Sequence, residues 1–464
     1  MTLREAAQAL RDRRLSSVEL TKMAIERIDK VNPSLNAFLT VFPQSALDQA
    51  VRADRERATK TDRGPLHGIP VAIKDMFDMR GVRTTAGSRI LDYVPKRDAA
   101  VVEKLEAAGA VIVGKLHMHE LAFGITSDNP HFGPVRNPWN MERIPGGSSG
   151  GAGAAIASDL IYAAIASDTG GSVRVPASYC GTVGLKPTYG RISRYGSLPL
   201  SFSLDHVGVL TQDVRDAAVV LRSIAGRDPR DPSSANRPVV DYTPEESLTL
   251  KGLRLGFPEN YFFDRLENDV ELAVRGAIAR AGALGATLKP VRMPDISAMD
   301  TVGQVILLAE AAAVYGPHMQ KRTKFGPDVM ALLDQGQLLP AVDYINAQRV
   351  RRKLQLDFAR VWKDVDCLIM PTTPNTAPRI GEVLVRVGGQ DEDIRHAATR
   401  FVRPFNVLGL PALSIPCGLS AFGLPIGLQL VAPPFAESPL LQLGAVLQDG
   451  GVGIPPVPTP KDAW

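Results

Sequence analysis

Three serines among glycines carry the residue types of an acyl-transfer centre. Ser148 and Ser149 stand in GGSSGG, and Ser172 closes DTGGS, within the stretch Pro145–Arg191. A serine hydroxyl is a weak nucleophile until a hydrogen-bonded base takes its proton. Glycines beside it let the backbone approach a substrate through torsions closed to other residues. Thr169, Gly170, Gly171 and Ser172 offer consecutive backbone N–H groups. A helix beginning at Ser172 would add its own unsatisfied amides at that positive pole. Such a nest suits a developing oxyanion. No histidine lies within the stretch, so the base must come from elsewhere in the chain.

Other chemistries fit less well. Gly146–Gly150 also satisfies G-x-S-x-G, the nucleophile elbow, but the elbow needs a strand directly before its serine. What precedes Ser148 is NPWNMERIPGG, a loop with two prolines. No Gly-Lys-Ser/Thr follows the glycines, and no G-x-G-x-x-G opens a helix after a strand, so phosphate and dinucleotide loops are disfavoured. His117, His119 and His131 invite a metal, but two residues apart on a helix do not share a face, and no ligand set at zinc spacing follows. No metal and no cofactor are expected. As pure structure, the two glycine turns could be tight corners.

The elements that must hold these residues alternate between strand and helix. Between the turns, AAIASDLIYAAIAS reads as a short packed helix and then a buried strand. Near the start, Ser16 and Glu19 form a capping box, with Leu20, Ala24, Ile28 and Val31 on one face and Asn32-Pro33 as the stop. A polar helix is expected over Ser45–Lys60, and a buried strand over Gly68–Asp75 (GIPVAIKD) that carries Lys74 inward. On its own, a lysine at a strand end reads as a solvated charge. A helix over Ala99–Ala108 ends at Gly109, and a strand over Val111–Val113 follows. Further helices are expected over Asp213–Ala225, Val270–Leu284, Thr301–Tyr315, Asp343–Val361 and Pro439–Leu447. Strands are expected over Leu253–Pro258, Cys367–Met370, Ala412–Pro416 and Pro425–Val431. The basic residues of Asp343–Val361 read as a solvated face. The fold class is α/β, one domain over 1–464 around a central mixed sheet flanked by helices. Within it a helical segment spans 1–63, a core 64–225 and a completing part 250–450, with a surface loop over Gly226–Pro244.

The composition is unspecialised. The 464 residues carry 53 Lys and Arg against 49 Asp and Glu, a net charge of +4, too weak a bias to imply nucleic-acid or membrane binding. Cys180, Cys367 and Cys417 read as buried free thiols. The opening MTLREAAQALRDRR has no apolar core, so no signal peptide is read there. No run approaches 18 uninterrupted apolar residues. A cytoplasmic protein is expected.

The serine stretch resembles the signature of the amidase signature family, which carries GGSSGG and then DTGGS or DIGGS. In the family the second serine lies 24 positions after the first, as Ser172 does after Ser148 here. GLKPTYGR at Gly184–Arg191 and GIPVAIKD match as well, and the resemblance runs from roughly Ser17 to Gln448. It implies an α/β fold around a mixed sheet and an amide hydrolase using a Ser-Ser-Lys triad. Ser172 matches the nucleophile, Ser148 the proton-relaying serine after a cis peptide bond to Gly147, and Lys74 the final base. Thr169–Ser172 would serve the oxyanion, and Ser149 would hydrogen-bond within the triad. Phe123, Gly124 and Ile125 fall where the family lines its substrate cleft.

The family divides between free-standing amide hydrolases and the A subunit of glutamyl-tRNA(Gln) amidotransferase, which hydrolyses glutamine for a partner. Two features favour the first. Thr399 stands where the amidotransferase chain carries an aspartate for the glutamine amino group, before PFNVLGLP, and that chain's G-Y-Y-D-A-Y-Y stretch is missing. Arg351 aligns with its substrate arginine and speaks for the second. The expected partner set is a small amide, anilide or carbamate substrate and at most a second copy of the chain, with no nucleic acid bound directly and no membrane.

Overall fold

Alternate residues of the central strands serve opposite sides of one sheet, as a two-residue side-chain period requires. In Pro70–Lys74, Val71 and Ile73 join one apolar cluster and Ala72 another. In Ala163–Asp168, Ile165 joins the first cluster, and Ala164 and Ala166 the second. A sheet apolar on both faces must be covered on both. Helices Ala100–Ala107, Val214–Ile224 and Glu437–Asp449 supply buried residues to the first cluster. Helices Ser17–Leu35, Pro43–Ala58 and Gly150–Ala157 supply the second.

The computed structural model describes residues 1–246 and 249–457. Its main sheet has 11 strands. In spatial order they are Phe38–Val41, Val111–Leu116, Pro70–Lys74, Ala163–Asp168, His206–Thr211, Val183–Lys186, Ala412–Leu419, Pro425–Val431, Cys367–Pro371, Arg254–Pro258 and Thr287–Val291. Pro70–Lys74 runs parallel to both its neighbours, whereas the middle of the sheet is antiparallel. The sheet is therefore mixed, with the two site-bearing strands side by side.

Three local expectations are revised. Pro33 does not stop the second helix, which runs Ser17–Leu35 with the proline in its last turn. Its end is fixed by Asn36 at φ 57°, whose side-chain amide donates to the carbonyls of Phe132 and Pro134. The helix after the second glycine turn begins at Arg174, not Ser172. Cys417 is only partly buried, although Cys180 and Cys367 are buried and all three are free.

The helix Ile296–Tyr315 begins a stretch apolar and long enough to cross a bilayer by composition. It carries buried Asp300 and Glu310, however, and packs on helices Pro327–Gln337 and Ala341–Phe358. That is the setting of a core helix.

Candidate active site

Lys74 ends its strand with its side chain fully buried. It shares a sheet face with Ala72, the face covered by the Gly150–Ala157 helix. The GGSSGG turn enters that helix, so Ser148 and Ser149 arrive beside the lysine. Nζ donates to Ser148 Oγ at 2.7 Å, Ser149 Oγ at 2.9 Å and Ser167 Oγ at 2.9 Å. Ser149 donates in turn to the Ser167 carbonyl at 3.2 Å. Burial lowers the Lys74 pKa to about 7, against the opposing pull of Asp168 and then Asp205. A lysine neutral near pH 7 can accept a proton. Ser167 completes this cluster and escapes the sequence reading, because nothing marks a serine inside a buried strand.

The first glycine turn packs against the helix Arg174–Cys180. Gly146 has φ 80°, and a Cβ there would lie 3.0 Å from the Pro176 backbone. One at Gly147 would lie 2.7 Å from the carbonyl carbon of Ile125. The first turn is thus pressed between the helix that follows Ser172 and the 123–125 segment. The peptide bond from Gly147 to Ser148 is cis.

Asp168 holds the second turn. Its carboxylate accepts from the N–H groups of Gly171 (2.8 Å) and Val173 (3.2 Å) and from Arg174 Nε (3.0 Å) and Nη2 (2.9 Å). Asn406 Nδ2 adds a further bond at 2.9 Å. Burial alone would raise this carboxyl's pKa, but the Arg174 guanidinium holds it well below the usual carboxylate range. Arg174 is itself completely buried and reaches Gln429 Oε1 (2.7 Å), Asn406 Oδ1 (2.7 Å) and the Val402 carbonyl (2.8 Å). One expectation changes here. The Gly171 N–H is committed to Asp168, so three of the four nest amides are left for an oxyanion. Those of Thr169, Gly170 and Ser172 have no acceptor among the described residues.

Removing one partner of a buried, hydrogen-bonded ion pair costs about 3–5 kcal/mol. Asp168→Ala is therefore expected to lower stability by an amount of that order, read as a fall in the urea midpoint. A change within about 1 kcal/mol would contradict the central place given to this carboxylate.

Ser172 lines a cavity of about 320 Å³. Thr169, Gly170, Phe123, Gly124 and Ile125 line it too, with Thr399 and Arg403 on the wall. The volume falls in the range of small-molecule sites. The three histidines that invited a metal meet protein partners, His131 lying 2.8 Å from Glu120. His117 Nδ1 meets the Asn36 carbonyl at 3.0 Å, and His119 bridges Asp328 (2.9 Å) and Thr126 (3.3 Å). Among the described residues no cluster of His, Cys, Asp or Glu could hold a metal ion. Arg351 is not in the cavity wall: it donates to the carbonyls of Val407 (2.7 Å) and Ser203 (3.0 Å).

Comparison with known proteins shows the family. The model of the family described as Amidase matches residues 19–441. The A subunit of glutamyl-tRNA(Gln) amidotransferase from Moorella thermoacetica is 42% identical, over 95% of each chain. The structure of its counterpart from Thermotoga maritima superposes with TM-score 0.81 at 34% identity, covering 98% of this chain and 97% of that one. A chain from a vestigial protein complex, described as revealing the evolutionary origins of an s-triazine catabolic enzyme, superposes with TM-score 0.94. It is 36% identical, over 98% of this chain and 99% of that one. These relatives overturn the expectation of a chain with no nucleic-acid partner. Curated proteins similar over nearly the whole length are named as subunits of an enzyme acting on a tRNA.

Proposed function

The chain belongs to the amidase signature family, and we propose that it hydrolyses the C–N bond of a small carboxamide through an acyl-enzyme on Ser172. One observation carries this reading: a buried lysine with a pKa near 7 has three serine hydroxyls within 2.9 Å, and a fourth serine, Ser172, lines a cavity. Ser148 passes the Ser172 proton to neutral Lys74 as Ser172 Oγ attacks the carbonyl carbon. The free amides of Thr169, Gly170 and Ser172 receive the oxyanion. The proton returns through Ser148 to the departing nitrogen, and water then releases the acid by the same relay.

The relatives favour a setting in which this chemistry serves an assembly, with glutamine as amide donor and ammonia passed to a partner. That reverses the preference drawn from the sequence for a free-standing hydrolase. One observation still supports the free-standing reading. Thr399 lies in the cavity wall. Among the described residues the only carboxylate lining it, Asp393, is taken up by Arg395 at 3.0 Å and by the N–H groups of Arg395 and His396. A glutamine ammonium group therefore finds no free anion among the described lining residues.

An assay of the purified chain against glutamine and a panel of amides, anilides and carbamates separates the settings. Glutamine turnover that appears only with partner subunits supports the assembly. Unaided turnover of another amide, with glutamine inert under both conditions, supports the free-standing enzyme. Absence of any C–N cleavage in either format would contradict the proposal.

A further inference from the structure

We infer that the substrate carries a carboxylate, and that Arg403, with the positive charge of His396 beside it, binds that carboxylate in the cavity lined by Ser172. The inference rests on the amide-hydrolase reading of the site, and applies whether or not the chain works in an assembly.

Among the described residues, the charged ones lining the cavity are Asp393, Arg395, His396 and Arg403. His396 is protonated at neutral pH, because hydrogen bonds to Asp300 and then Glu392 raise its pKa to about 9 against the effect of burial. The wall therefore sets three cations against one carboxylate. Behind it, Asp300 is shared between Arg403 (2.7 Å) and His396 (3.3 Å). Glu392 is shared between His396 (2.7 Å) and Arg400 (3.1 Å). Both acids offset part of this charge; with Arg400 included, four cations stand against three carboxylates, and a cavity with low-dielectric walls concentrates the remaining field.

Arg403 is the residue built to use it. Its side chain is 11% exposed. Nη1 donates to Asp300, and Nη2 donates to Thr399 Oγ1 at 2.7 Å. Each terminal nitrogen keeps a second hydrogen, and Nε has no acceptor among the described residues. The stem passes Gly303, where a Cβ would lie 3.0 Å from Cδ. Its Nε lies 3.5 Å from where a Cβ on Gly170 would sit, beside the oxyanion loop. The guanidinium is thus held by Asp300 and Thr399 next to the reacting centre, with donors to spare for a planar carboxylate. His396 spends both ring nitrogens on Asp300 and Glu392, so it contributes charge and no hydrogen bond. Thr399 thus holds this arginine at the cavity wall, while Arg351 lies outside the lining.

The test reads binding and needs no turnover. An uncharged sulfonyl fluoride labels Ser172, and glutaramate and pentanamide, an anionic and a neutral amide of similar length, compete with it. Glutaramate is expected to protect at a concentration at least about tenfold lower than pentanamide, the scale of one charge-assisted hydrogen bond in a desolvated site. In Arg403→Gln the ratio of the two falls to about one. Should that variant fail to fold, His396→Gln removes a charge at a ring that is 43% exposed and must cut the ratio by about threefold. Equal protection by the two amides in the wild type would overturn the inference, as would a tenfold ratio that survives in both variants. Failure of the reagent to label Ser172 at all would instead overturn the hydrolase reading, and the inference would fall with it.

Discussion

Ser172→Ala is expected to lower kcat by at least about 10³-fold, with little change in folding. Nucleophiles that act as one unit with their base lose nearly the whole covalent route when removed. The residue is small, 5% exposed and at the cavity wall, so alanine leaves no large void and takes no hydrogen bond from the Asp168 network. Ser148→Ala should be nearly as severe, because it empties the only link proposed between Ser172 and Lys74. A Ser172→Ala enzyme retaining a tenth of wild-type kcat/KM on the best amide would contradict the acyl-enzyme.

Lys74→Arg is the second large effect. If the lysine is the base, activity rises with pH as its neutral form accumulates. Burial has lowered its pKa to about 7, so the rate should fall about tenfold per pH unit well below that value and level off above it. The apparent pKa read from such a profile belongs to the coupled lysine and serines together. An arginine stays protonated in proteins, so Lys74→Arg should lose the rising limb and most of the rate. A lysine that merely supplied positive charge would tolerate the exchange. Retention of more than about a tenth of the rate, a barrier change below roughly 1.4 kcal/mol, would rule out the general-base role.

How much of this is legible in the sequence depends on distance along the chain. Lys74, Ser148 and Ser172 stand in short motifs, and Val71, Ile73 and Ile165 announce buried strands by composition. The strands Val183–Lys186 and His206–Thr211 escape the sequence reading although they form the middle of the sheet. They are short and lie within and just after the motif block, and glycine interrupts both. The support of the second glycine turn is out of reach for another reason. Arg174 meets Asn406 and Gln429, which lie 232 and 255 residues further on. No local pattern encodes such a pairing. PFNVLGLP does carry a signal, since its asparagine donates to both the Asp168 carbonyl (2.8 Å) and its carboxylate. The cationic wall is equally hidden: nothing local in the sequence singles out Arg395, His396 or Arg403, and Asp300, which lies between two of them, comes from a distant helix.

The shortest route to the central claim is to find where a covalent adduct forms. The enzyme is treated with a serine-directed sulfonyl fluoride, digested, and the modified peptide is sequenced by mass spectrometry. A single adduct on Ser172, absent in Ser172→Ala and formed far more slowly in Lys74→Arg, is the predicted result. An adduct on Ser148 or Ser149, or equal labelling after the lysine is replaced, would contradict the account.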